Sequence, residues 1–114
     1  MHEASLALSL LDLIAETARR ERAERVLSAT VEIGALSPVE PEALAFAFEA
    51  AKRDQPRATA TRLIIQHTEG FAQCMACGED VRLKNRGEAC PQCGSFRLLV
   101  TAGDEMRLKE VEVA

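Results

Sequence analysis

CMACGEDVRLKNRGEACPQCG, residues 74–94, is the stretch from which the rest of the chain can be read. Cys74, Cys77, Cys90 and Cys93 stand in a C-x2-C-x12-C-x2-C pattern, and a glycine, Gly78 or Gly94, follows each pair. Two residues between cysteines let one tight turn present both sulfurs to the same ion, and two such turns complete a tetrahedron. Glycine after the second cysteine tolerates positive φ, so the turn can fold back and aim its amide N–H groups at the thiolates. A short run follows each turn, Val81-Arg82-Leu83 and Arg97-Leu98-Leu99-Val100, and a knuckle followed by a strand is the building unit of a zinc ribbon. The pattern implies one structural zinc ion held by all four cysteines, with residues 70–101 as a small ribbon-like domain. A redox dithiol would use one CxxC, and the ligands of an iron–sulfur cluster are usually spaced less symmetrically. Four protein ligands close the coordination shell and leave no position for water or substrate.

Before the cysteines, the pattern is helix, strand, helix, strand. Leu6, Leu10, Leu13, Ile14 and Thr17 recur at helical spacing and predict a helix over 4–24 with those residues buried. The stretch VLSATVEIG, residues 26–34, alternates Leu27, Ala29, Val31 and Ile33 with Ser28, Thr30 and Glu32, as a half-buried strand does. In SPVEPEALAFAFEAAKR, Ser37 and Glu40 have capping-box spacing, but Pro41 lacks the N–H that the box needs. A turn over 37–40 and a helix from Pro41 to about Arg53 follow, burying Leu44, Ala47, Phe48 and Ala51. Pro56 closes that helix, and a strand over 59–68 carries Leu63, Ile64 and Ile65. Strand, helix, strand in this order suggests a right-handed crossover between parallel strands. A last strand, 105–113, changes apolar phase between Leu108 and Val111, as at a bulge.

Composition narrows the classes of function. The chain has 114 residues, four Phe and neither Trp nor Tyr, so its core must be aliphatic. Its formal charge is −4, and four thiolates around one divalent ion would take it near −6. Binders of nucleic acid and of anionic membranes usually carry basic patches, so neither partner is expected. The start MHEASLALSLLDLIAE has acids where a signal peptide has bases, no apolar run approaches bilayer length, and paired CxxC motifs suit a reducing compartment. A cytoplasmic protein is expected. No nucleophile with a neighbouring histidine, phosphate loop or paired acid argues for an enzyme.

His2 is the second informative feature. The α-amino nitrogen, the His2 amide nitrogen and the His2 imidazole can close two chelate rings on one ion, which suits square-planar Ni²⁺ or Cu²⁺. Taken alone, a histidine at position 2 is more often a solvated residue on a frayed end. His67, near the end of the second strand, reads as a surface residue, and ARRERAER as a solvated helix end. Phe46 and Phe48, two apart on a helix, face different sides: Phe48 inward, Phe46 toward another element or an interface.

MHE at the start, EIGALSPVEPEAL in the first half, CxxCG twice and GDEMRLKEVEV at the end together resemble the HypA/HybF family of nickel metallochaperones, which help mature nickel–iron hydrogenases. The resemblance runs the length of the chain in order. It implies an α+β fold: two helices on a small mixed three-stranded sheet, with a four-cysteine zinc-ribbon-like domain inserted before the last strand. The α/β nickel-binding domain would then be residues 1–69 plus 102–114, and the zinc domain 70–101. It implies that Met1, His2 and Glu3 hold Ni²⁺ as cargo, with Met1 retained. Glu40 is then a further donor or a partner of one, or else simply a carboxylate at a helix start. The four cysteines match the family's Zn²⁺ ligands. The implied partners are the hydrogenase-maturation GTPase and the hydrogenase large-subunit precursor, for a protein that is a monomer or weak dimer. A zinc-ribbon adaptor without labile metal is the alternative, and the missing aromatic platform counts against nucleic acid as its target.

Overall fold

A computed structural model of the chain describes residues 2–114. Its elements are α1 (His2–Arg20), β1 (Val26–Gly34), α2 (Pro41–Ala51), a 3₁₀ turn (Lys52–Asp54), β2 (Arg62–Thr68), β3 (Gly70–Cys74), β4 (Asp80–Leu83), β5 (Leu98–Ala102) and β6 (Met106–Val113). The strands form two three-stranded sheets, ordered β2-β1-β6 and β4-β3-β5. This is the expected α+β architecture, with two helices, a mixed sheet and a four-cysteine module inserted between β2 and β6.

Two compact units share the chain. One comprises 1–31, 39–66 and 107–114; the other comprises 32–38 and 67–106. In the first, α1 packs against α2. Its core is drawn from Leu10, Leu11 and Ile14 of α1, Val26 and Val31 of β1, and Leu44 and Phe48 of α2.

The mixed character of the first sheet follows from its hydrogen bonds. The Val26 N–H donates to the Arg57 carbonyl at 2.9 Å near the start of β1, and the Ala35 N–H donates to the Thr68 carbonyl at 2.9 Å near its end. β1 and β2 therefore run the same way, as the crossover predicts. At β6 the order reverses: Ala114 donates to Arg25 at 3.1 Å, and Gly34 donates to Glu105 at 3.0 Å. Along β6, partial burial falls on Met106, Leu108, Val111 and Val113, with the phase change read from the sequence.

Three local expectations are corrected. The buried stripe of α1 is Ala7, Leu10, Leu11, Ile14 and Ala18, whereas Leu13 is 49% exposed. Leu10 and Ile14 belong to both stripes, so the face is rotated about them. β1 is also not half-buried. Ser28 and Thr30 are buried beside Ala29 and Val31, while Leu27 is exposed. Its central place between two strands shields both faces, and Ser28 finds a partner in the Glu112 carboxylate at 3.3 Å. In α2 only Leu44 and Phe48 are buried; Ala47 and Ala51 are half-covered.

The boundaries of α2 have plain causes. Glu40 is the N-cap, with extended φ −88° and ψ 111°, and Pro41 occupies the first helical position. At the other end, Gln55 is extended at φ −114° and ψ 102°, as a residue before proline must be, so the helix tightens into the 3₁₀ turn rather than running on. Residues 56–60 form turns, held by Ala58 N–H to Gln55 and Thr61 N–H to Ala58, so β2 begins at Arg62 and not at 59.

Candidate metal centres

The second unit is organised by two matching knuckles. In the first, the Cys74 N–H donates to the Glu79 carbonyl at 2.9 Å and the Gly78 N–H to the Cys74 carbonyl at 2.8 Å. In the second, Cys90 donates to Ser95 at 2.7 Å and Gly94 to Cys90 at 2.8 Å. Gly78 and Gly94 both have φ of +80°, a conformation a Cβ would oppose. Strand β3 leads into the first knuckle and carries the scaffold. It pairs antiparallel with β4 on one side and β5 on the other.

These turns bring all four sulfurs within 4.8 Å of one another. Cys74 Sγ lies 3.6 Å from Cys93 Sγ, and Cys77 Sγ lies 3.9 Å from Cys90 Sγ. A tetrahedron with metal–sulfur bonds of about 2.3 Å has edges of about 3.8 Å, so the sulfurs stand where one ion needs them. Both separations far exceed a disulfide bond, and the four are free thiols. A multi-iron cluster would have to hold its thiolates farther apart. The fit is to a single cation.

The electrostatics agree. Cys74 is pushed down to about 6, first by the Cys77 N–H aimed at its sulfur, 3.5 Å away. Cys77 is pushed up to about 12. The Glu79 amide works to lower it, but burial and the three other sulfurs outweigh that pull. Cys93 is raised as well: the Ser95 amide pulls down, and the Cys74 sulfur pushes back harder with the help of burial. One thiolate therefore forms readily while its neighbours resist ionising beside it, and a divalent ion removes that resistance.

The buried cluster beneath the site is small: Leu36, Ala72, Cys74, Val81, Leu83 and Cys90, with Leu98 against it. Two of those six residues are themselves ligand candidates. The loop from β4 to the second knuckle is tied by Glu88, whose carboxylate accepts the Lys84 N–H at 2.8 Å and the Asn85 N–H at 3.2 Å. Those two amides hold the Glu88 carboxyl below the usual range. No pattern in the sequence signalled this role.

At the chain start, Met1 lies outside the described residues. His2 is exposed as the first residue of α1. Glu3, the next residue of the same helix, accepts the backbone N–H of Glu40 at 3.0 Å. In a capping box the third helical residue supplies that acceptor; here the third residue is Ala43, and Glu3 supplies it from the other helix. The Glu40 amide holds the Glu3 carboxyl below its ordinary value. Two of the residues the sequence singled out thus meet, and Glu40 takes part through its backbone. His67 is exposed on β2, as expected of a surface residue.

A feature the sequence reading passed over lies on the same two helices. Ala4, Leu8, Ala43, Phe46, Ala47 and Ala50 line a groove of about 690 Å³ whose rim includes Glu3 and Glu42. The recurrence of alanine at 43, 47 and 50 could have signalled it, but alanine at helical spacing reads equally well as core.

Comparison with known proteins agrees with this architecture. Residues 1–113 match the family model described as "Hydrogenase/urease nickel incorporation, metallochaperone, hypA". The hydrogenase maturation factor HypA of Albidiferax ferrireducens is 49% identical over 113 residues, 99% of each chain. That of Azotobacter chroococcum is 48% identical over the same coverage. The solution structure of the Ni metallochaperone HypA from Helicobacter pylori superposes with a TM-score of 0.69 at 26% identity, covering 97% of this chain and 96% of that one. Family match, sequence relatives and fold converge: the chain belongs to the HypA family of nickel-incorporation metallochaperones, which serve hydrogenase maturation.

Proposed function

We propose that this chain carries one Ni²⁺ at its N-terminus and delivers it to the hydrogenase large-subunit precursor, acting with the hydrogenase-maturation GTPase in the cytoplasm as a monomer or weak dimer. The ligands are the Met1 amine, the His2 amide and imidazole, and a carboxylate from Glu3 or Glu40. The four cysteines hold one Zn²⁺ that keeps the second unit folded. The protein is a carrier and performs no catalysis.

The observation that carries this reading is the Glu3–Glu40 hydrogen bond, taken with family membership. It fixes a carboxylate one residue from His2. A helix start bears partial positive charge, which by itself repels a cation. The Glu3 carboxylate next to His2 offsets that charge. The first N–H groups of a helix also have no partner within it, so the His2 amide is open to a ligand. Sites formed from terminal residues exchange ligands readily, whereas four thiolates enclose their ion; cargo therefore belongs at the terminus and zinc in the knuckles.

The test is calorimetric titration of Ni²⁺ into the native chain, into His2→Ala and into a chain with one residue added before Met1. Both variants should lose nickel binding while keeping zinc content and fold. Undiminished binding in either would refute the ligand set.

A further inference from the structure

We propose that the groove between α1 and α2 docks a basic amphipathic helix of the protein that receives the nickel, an inference that rests on the delivery reading above. Its floor is alanine and its walls are Leu8 and Phe46. Phe46 is 79% exposed and Leu8 54% exposed, a large apolar side chain on each helix standing in water beside a concave surface. Small residues on the floor let another backbone approach closely, and the two large ones grip its sides. α2 has 11 residues, about 16 Å of helix, which matches an occupant of roughly three turns.

Charge selects among occupants. Among the described residues, Glu3 and Glu42 are the only charged ones lining the groove, and the chain as a whole carries −4. A second copy packed face to face would set these acids against their own equivalents. A small apolar molecule would stay largely in water here, whereas ligand pockets bury most of their occupant. A helix with leucines on one face and lysines or arginines beside them satisfies both the floor and the rim. Because Glu3 lies at the rim and next to His2, such a helix would lie beside the nickel ligands and bring incoming donors within reach.

The experiment uses the whole zinc-loaded protein, labelled with ¹⁵N, and two designed helical peptides of about 14 residues, matched to roughly three to four turns. One pairs a leucine face with lysines; the other pairs the same face with glutamates. The lysine peptide should bind and shift the amides of Leu8, Ala43, Phe46 and Ala47, and the glutamate peptide should bind at least about tenfold more weakly. Phe46→Ser should weaken the lysine peptide by about tenfold or more, as loss of a central aromatic contact does. Glu42→Lys should erase the preference between peptides. No binding, binding elsewhere, or equal binding by Phe46→Ser would overturn the proposal. So would concentration-dependent dimerisation through the same amides. Nickel titration of the same samples keeps the two readings apart: Phe46→Ser should bind nickel as wild type does, and a wild type that binds no nickel defeats the delivery reading while leaving the peptide result standing.

Discussion

Cys90 and Cys93 occupy equivalent places in the metal pattern but not in the fold, and replacing each with serine should separate the two roles. Cys90 is 3% exposed within the cluster of Leu36, Ala72, Val81 and Leu83, whereas Cys93 faces solvent. As ligands they should weigh the same. A structural four-thiolate zinc site contributes about 10–16 kcal/mol, so one ligand in four accounts for roughly 3–4 kcal/mol, or about 10²- to 10³-fold in zinc affinity. Both variants should show that loss in competition with a chromophoric chelator. Cys90→Ser carries a second penalty, because it leaves a hydroxyl among aliphatic side chains at a cost of about 1–2 kcal/mol. In a small domain 1 kcal/mol shifts melting by about 4–8 °C. At saturating zinc, followed through the amide resonances of β3, β4 and β5, Cys90→Ser should therefore melt at least about 5 °C below Cys93→Ser. Equal melting, or the reverse order, would refute the assignment of Cys90 to the core, and wild-type zinc affinity in either variant would refute the single four-thiolate ion.

Other expectations concern pH and packing. Loading a chelator-stripped sample with zinc at pH 7 should release protons from at least Cys77 and Cys93, whose thiols are held protonated above their ordinary range, and the measured heat should change with buffer ionisation enthalpy. Because those protons compete with the ion, apparent zinc affinity should fall as pH drops below about 7 in competition with a chelator, and a flat profile would contradict it. Phe48→Ala, at a fully buried position, should cost about 3–5 kcal/mol in urea unfolding, while Phe46→Ala should stay within about 0.5 kcal/mol. Gly34→Ala would drive a Cβ into the Gly103 carbonyl, with the Gly103 Cα only 2.8 Å away, and should destabilise by at least about 2 kcal/mol; a neutral result would mean that the two backbones part easily.

Much of this protein is written in short-range patterns. The two CxxCG turns are local: four residues and a glycine set each sulfur pair, so spacing alone places Cys74 with Cys77 and Cys90 with Cys93. Pro41 and Pro56 likewise set both limits of α2, because proline acts on its own backbone and on the residue before it. Family motifs could be matched for the same reason, as each is a contiguous run.

Tertiary structure decided whatever depends on a partner distant in sequence. Helical spacing says that α1 has an apolar face but not where its centre lies, since Leu6, Leu13, Ala7 and Leu11 all continue a stripe through Leu10 and Ile14. Packing against α2 and the sheet core chose Ala7, Leu11 and Ala18, whose small or inward side chains fit, and left Leu8 and Leu13 in water. Alternation in β1 signalled a strand but not its central position, which buries Ser28 and Thr30 as well. The link from Glu3 to the Glu40 amide, 37 residues on, and the groove between the helices exist only once α1 lies on α2. Local sequence fixes backbone turns because their energetics are local. Which face is buried, and which groups meet, depends on elements brought together by the whole chain.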